Sequence, residues 1–203
     1  YLRESESSQV VWETDGTDEG TRARIAPGLP HYAELVAASG SHLFFREPSN
    51  LLSWWSLRLS DDTALPFFEE TGPPYYRPEI EAVATASRLY FTTLESGSLE
   101  LLRHSDGTAA GTGITWTSAA NERVLDLFPV GDALYFLVAA DRLSLWSAVD
   151  GGPANRVAEL GALAADPDDE RRRGFLPVDG GFYFFAETIE HGAELWFTDG
   201  TQN

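Results

Sequence analysis

The side chains able to do chemistry are mostly carboxylates: 32 Asp and Glu stand against 14 basic residues, all of them arginine, with four histidines and no cysteine. An acid–base enzyme needs two carboxylates or a perturbed histidine held together. The sequence supplies no local pair, and His31, His42, His104 and His191 are isolated, without the spacing of a metal site. A Ser-His-Asp arrangement needs its members to meet only in space, and no local pattern points to one. Gly151-Gly152 and Gly180-Gly181 fall in turns, outside the strand-to-helix context of a phosphate loop, and no cofactor motif is present. The acid-rich turn Asp15-Gly16-Thr17-Asp18-Glu19-Gly20 has the oxygen chemistry of a calcium site. Its sister Asp106-Gly107-Thr108-Ala109-Ala110-Gly111 keeps the Asp, Gly and Thr without the extra acids, so a carboxylate that satisfies turn amides explains both.

Binding chemistry has better candidates. Pro73-Pro74-Tyr75-Tyr76-Arg77-Pro78 sets Tyr75, Tyr76 and Arg77 on a proline-stiffened backbone, the residue types enriched at interface hot spots. Asp166-Pro167-Asp168-Asp169-Glu170-Arg171-Arg172-Arg173 puts Arg171 and Arg172 beside acids, a docking segment or a solvated tip. Trp116 falls on an outermost strand, where aromatic rings are harder to bury, and is a binding candidate whose exposure would be informative. Trp12, Trp146 and Trp196 occupy one repeated position, which reads as packing.

The net charge of −18 argues against nucleic acid and anionic lipid as partners, which both require positive charge. No run approaches the roughly 18 apolar residues of a spanning helix, so membrane insertion is not expected. Absence of cysteine removes disulfides and thiolate metal sites without naming a compartment. With no methionine at position 1, the first residues carry no information on a secretion signal.

The elements that must position these residues repeat. A strand running into Asp-Gly occurs at Val11-Trp12-Glu13-Thr14-Asp15-Gly16-Thr17 and Leu195-Trp196-Phe197-Thr198-Asp199-Gly200-Thr201, with intermediate copies at Asp61, Asp106 and Asp150. The steps are 46, 45, 44 and 49 residues. An aromatic strand precedes each later copy, at Leu43-Phe44-Phe45, Leu89-Tyr90-Phe91, Leu134-Tyr135-Phe136 and Phe182-Tyr183-Phe184-Phe185, with one further strand before it and another after the Asp-Gly turn. Asp-Gly between strands signals a tight type I′ hairpin. Four short strands per unit, with no capped helical period, predict an all-β propeller of four-stranded antiparallel blades, a β-sandwich being the runner-up. The chain reads as one domain, 1–203, with blades near 27–69, 78–117, 123–160 and 173–203, and 10–26 as a closing or preceding strand pair. A four-bladed ring, closed by Arg22 to Ile25 joining the last blade, is expected; the alternative is an arc of a larger ring.

Glu194-Leu195-Trp196-Phe197-Thr198-Asp199-Gly200-Thr201, with the second Gly-Thr at Gly20-Thr21 and Gly111-Thr112, resembles the bacterial ELWxxDGT repeat family. The copies at Asp61 and Asp150 depart from the pattern, lacking the Gly or the Thr. The resemblance implies a propeller-like fold in secreted or envelope proteins and implies no reaction. The turn also sits where the sialidase Asp-box does, itself a structural device. The resulting expectation is a non-catalytic, extracellular or envelope module that binds protein or glycan. Its alternatives are a hydrolase or lyase using carboxylates at the channel and a purely structural part of a larger envelope protein.

Overall fold

The structure, a computed structural model, describes residues 9–47, 53–70, 82–95, 99–164 and 174–201. Every regular element in these residues is a strand: β1 (Gln9–Glu13), β2 (Arg22–Ala26), β3 (Glu34–Ala38), β4 (His42–Glu47), β5 (Ser53–Arg58), β6 (Thr63–Glu69), β7 (Ala82–Ala84), β8 (Leu89–Glu95), β9 (Leu99–Ser105), β10 (Gly113–Thr117), β11 (Arg123–Val130), β12 (Ala133–Ala139), β13 (Arg142–Val149), β14 (Asn155–Ala162), β15 (Phe175–Val178), β16 (Gly181–Thr188) and β17 (Gly192–Thr198). They form five antiparallel sheets in chain order, β1-β2, β3-β4-β5-β6, β7-β8-β9-β10, β11-β12-β13-β14 and β15-β16-β17. Each strand pairs with its sequence neighbour, as hairpin turns dictate.

The second strand of each full sheet is apolar on both faces because sheets cover it on both sides. In β12, Leu134, Phe136 and Val138 pack with Tyr90, Leu102 and Trp116 of the third sheet. Leu137, one residue out of phase, packs with Phe182 and Phe184 of the fifth. Phe44, Trp54 and Phe67 of the second sheet meet Leu89 and Phe91 of the third, and Phe45 and Leu57 close on Ala26 and Val11 of the first. Four separate cores therefore lie between five consecutive sheets. Burying each Phe or Leu in them contributes roughly 1.5–3 kcal/mol. Bulges in β3, β6, β10, β11 and β14, or in their pairing, increase the local twist. Backbone hydrogen bonds also run between first hairpin turns, Gly40 N–H to Ala86 O at 3.0 Å and Ala86 N–H to Gly131 O at 3.1 Å.

Two expectations are corrected here. The pairing of Arg22 to Ile25 with the last sheet is not seen among the described residues: β2 pairs along one edge with β1 through the hairpin that joins them, and the last sheet is β15-β16-β17 alone. Trp12, expected in a core, is 68% exposed, because no described residue covers the face of the first sheet that carries it.

Candidate functional site

The Asp-Gly turns are built by side chains. In the first, Asp15 Oδ1 accepts from the Thr17 amide at 2.9 Å and the Thr17 hydroxyl at 2.7 Å. Thr17 Oγ1 in turn accepts the Gly20 amide at 2.9 Å, and the Thr21 hydroxyl donates to the Thr17 carbonyl at 2.6 Å. Asp106, Thr108, Gly111 and Thr112 repeat this net with distances of 2.9, 2.7, 2.9 and 2.7 Å. Asp199 and Thr201 repeat its first half. The second glycine follows from the first carboxylate: a Cβ on Gly20 or Gly111 would collide with the Asp15 or Asp106 side chain. Hydrogen bonds from the Thr17 and Thr201 hydroxyls and amides hold Asp15 and Asp199 below the usual carboxylate range. Burial pushes Asp106 up, and the Thr108 hydroxyl and amide outweigh it. These carboxylates are committed to the turn, and no group of three metal-ligating side chains gathers among the described residues.

The type I′ expectation needs correction. Positive φ at both Asp and Gly occurs only at Asp150 (50°) and Gly151 (72°). At Asp15-Gly16, Asp106-Gly107 and Asp199-Gly200 the glycine alone has it, and the connection from β1 to β2, residues 14–21, is eight long. The threonine net closes this longer loop.

Each later turn also docks on the sheet before it. Ser56 donates to the Gly107 carbonyl at 2.6 Å, and a Cβ on Gly107 would stand 3.0 Å from the His42 ring. The Gly151 amide donates to the Tyr90 hydroxyl at 2.9 Å, its Cβ would stand 2.7 Å from the His104 ring, and Arg88 Nε donates to Asp150 at 2.7 Å. Gly200 lies against the Tyr135 hydroxyl with no room for a side chain. Beneath these turns, burial lowers the pKa of His42 and His104. Arg58 acts in the same direction on His42 and Arg88 on His104; Asp106 and Asp61 oppose it at His42, Asp106 and Asp150 at His104. His42 Nδ1 pairs with Ser41 Oγ and His104 Nδ1 with Thr115 Oγ1, each at 2.9 Å.

A stability slope follows from these two histidines. A folded-state pKa below the unfolded value means that the unfolded chain takes up protons first as pH falls. Their contribution is therefore complete above the ordinary histidine value of 6.5 and declines as pH drops below it, until the folded state also protonates. Urea unfolding from pH 7.5 to 5 is expected to show that decline, and the double substitution His42→Gln, His104→Gln to flatten it. A slope unchanged by the substitutions would assign the pH dependence to other groups.

Of the binding candidates, Tyr75, Tyr76, Arg77, Arg171 and Arg172 lie outside the described residues. Trp116 is 8% exposed, so its position on an outermost strand does not leave the ring open to a ligand. It packs edge-on to Phe136 at 6.0 Å and Trp146 at 6.4 Å, inside the core between the third and fourth sheets. Tyr32 was not singled out by residue type or spacing. It projects from the connection between β2 and β3, 75% exposed, its ring edge-on to His31 at 5.0 Å. Leu29 and Ala33, at 4% and 9% exposure, anchor that connection in the core beneath. The connection is of the same kind as the Pro73–Pro78 segment, joining a fourth strand to the next first strand. The sequence signal for Tyr32 was its loop, not its pattern.

Comparison with solved structures decides what the stacked sheets amount to. The chain superposes on the β-propeller domain of the Trilobed protease from Pyrococcus furiosus, reported as an open velcro topology, with a TM-score of 0.56 at 10% identity, over 95% of this chain and 65% of that one. The fold is a β-propeller. Two weaker likenesses are to a prolyl endopeptidase (TM-score 0.49, 16% identity, 92% of this chain and 29% of that one) and to Saccharomyces cerevisiae Sqt1 (0.45, 11%, 85% and 47%). The chain spans less than two thirds of the length of each of these structures. No family profile and no curated protein sequence matches it.

In propeller terms, the acid–base alternative asks for paired carboxylates with raised pKa. Among the described residues one carboxylate is shifted up on balance, Glu100 on the third blade, by burial, while a hydrogen bond from the Val124 amide, 2.9 Å, opposes that shift. Among the described residues the charge acting on it is that of Arg123. Glu100 ties the third blade to the fourth through that Val124 bond, while within the third blade its backbone amide donates to Ser118 Oγ and its carbonyl accepts from the Ser118 amide, both at 2.9 Å.

Proposed function

We propose that this propeller is a non-catalytic module of the ELWxxDGT type, secreted or held at the bacterial envelope, which binds a protein or glycan partner through the loops that join one blade to the next. The observation that carries the reading is Tyr32: an aromatic ring 75% exposed on a loop pinned at Leu29 and Ala33. A side chain already held in place loses little entropy on binding, and tyrosine is a hot-spot residue for that reason. The Tyr75, Tyr76 and Arg77 segment falls in sequence in the corresponding connection, between β6 and β7. Membership of the ELWxxDGT type is supported by the Asp-Thr-Gly-Thr net at Asp15 and Asp106 and its first half at Asp199. The use of Glu100 in blade joining, with Arg123 as the charge acting on it among the described residues, favours binding over hydrolysis.

The test is a comparison of wild type with Tyr32→Ala and with Tyr75→Ala, Tyr76→Ala on a glycan array and against cell-surface protein extract. Loss of a hot-spot tyrosine costs about 2 kcal/mol, so affinity for the partner is expected to fall roughly thirtyfold in each variant while the melting temperature holds. Retention of every wild-type partner at unchanged affinity in both variants would place the binding face elsewhere.

A further inference from the structure

Four Asp-Gly turns stand in equivalent places on the blades, and two of them close over a histidine. A Cβ at Gly107 would stand 3.0 Å from His42 Cδ2 and one at Gly151 2.7 Å from His104 Cδ2, so each turn backbone lies directly on an imidazole edge of the preceding or its own blade. At Gly16 nothing comes within 4 Å, and at Gly200 the neighbour is the Tyr135 hydroxyl, whose pKa burial raises further. The same turn is thus found with and without a group that titrates near neutrality beneath it.

Both rings are partly buried and held from behind. His42 bonds to Ser41 Oγ, stacks on Phe44 at 6.1 Å and lies opposite Arg58 across the sheet. His104 bonds to Thr115 Oγ1 and lies opposite Tyr90. The charges facing His42 are Arg58 on β5, Asp61 in the turn after β5 and Asp106 in the docked turn. Those facing His104 are Arg88 ahead of β8, Asp106 and Asp150. The acids that could receive an imidazolium are already engaged: Asp61 by Arg58 at 3.1 Å, Asp106 by the Thr108 amide and hydroxyl, and Asp150 by Arg88 at 2.7 Å. A proton on either ring therefore arrives in a covered place beside an arginine, and the turn above it is what does the covering. Lifting the turn returns the ring to water. Below the ordinary histidine value of 6.5 the open turn takes up the proton more readily than the closed one, and acid shifts the balance toward it.

We propose that the turns at Asp106 to Thr112 and Asp150 to Ala154 are acid-released latches, which protonation of His42 and His104 lifts from the rings beneath them while the four-stranded sheets stay folded. Release differs from unfolding in leaving the sheet amides protected. The two latches are unequal. At the second, the Arg88 to Asp150 ion pair is indifferent to this pH range and goes on holding the turn. At the first, the described hydrogen bond across the junction is neutral, from the Ser56 hydroxyl to the Gly107 carbonyl at 2.6 Å. The first latch is the more responsive.

Hydrogen exchange of the folded protein, resolved by residue with NMR and divided at each pH by the rate of an unstructured peptide, tests this between pH 7.5 and 5.5. Protection of the Gly107 amide is expected to fall at least about threefold and that of Gly151 by a smaller factor. Gly16 and Gly200, in turns without a histidine, should keep theirs, as should Phe136 and Leu145 in the ladder of the fourth blade. His42→Gln is expected to abolish the fall at Gly107 and spare that at Gly151, and His104→Gln to do the reverse; the Asn variants take their place if circular dichroism at pH 7.5 shows a Gln variant misfolded. Unchanged protection at Gly107 in the wild type overturns the proposal, as does an equal fall at Gly16 or a response that survives His42→Gln. A simultaneous loss at Phe136 and Leu145 also overturns it, since the acid would then be unfolding the blades.

Discussion

Gly107→Val is expected to lose roughly 2–5 kcal/mol of stability, and Gly16→Val only about 1–2 kcal/mol, although the two glycines occupy the same turn position with the same φ of 93°. The shared part is backbone strain: a β-branched residue resists positive φ. The difference comes from the neighbour. A Cβ at Gly107 meets the His42 ring of the preceding blade at 3.0 Å, whereas nothing lies within 4 Å of one at Gly16. Overpacking against a ring in a docked turn adds about 1–3 kcal/mol. Gly200→Val, facing Tyr135, should behave like Gly107→Val. Urea unfolding of the three variants measures the contrast, and equal losses at Gly16 and Gly107 would show that turn docking contributes nothing.

Trp116→Ala is expected to cost about 3–5 kcal/mol, the penalty of a cavity left by a buried aromatic, and to lower the melting temperature by roughly 10 °C. The ring is 8% exposed and shared between two blades, so Phe136 and Trp146 cannot both collapse into the space. Trp116→Phe should recover part of the loss. A side chain serving a ligand would behave the other way, with a fold unaffected and affinity reduced.

The class of fold was legible because four-stranded units betray themselves twice, through runs such as Leu134-Tyr135-Phe136 that only a strand covered on both faces tolerates, and through Asp-Gly ends at near-constant steps. The burial of Trp116 was not legible. A register shift between Ile114 and Trp116 breaks the alternation of β10, leaving Thr115 and Trp116 buried in succession while Ile114 stays 50% exposed. A bulge is invisible to a period-of-two reading. Trp12 failed for a different reason: burial of a repeat position belongs to the neighbouring blade as much as to the residue. The type I′ expectation failed at three turns because threonine hydroxyls can satisfy a longer connection that the dipeptide alone does not announce. Tyr32 went unremarked because an anchored loop is recognised by what packs beneath it, here Leu29 and Ala33.

The small bridges between first hairpin turns, Gly40 to Ala86 and Ala86 to Gly131, have a kinetic meaning. Every strand pairing in the described residues is local in sequence, and every tertiary interface joins consecutive units. Such a chain is a one-dimensional stack of coupled units, in which structure can nucleate within one hairpin and spread to its neighbours. Opening begins where a unit has one neighbour in place of two. Amide protons of β8, β12 and β13, in sheets packed on both faces, should therefore exchange later than those of β1, β2 and β17, whose sheets are packed on one face among the described residues.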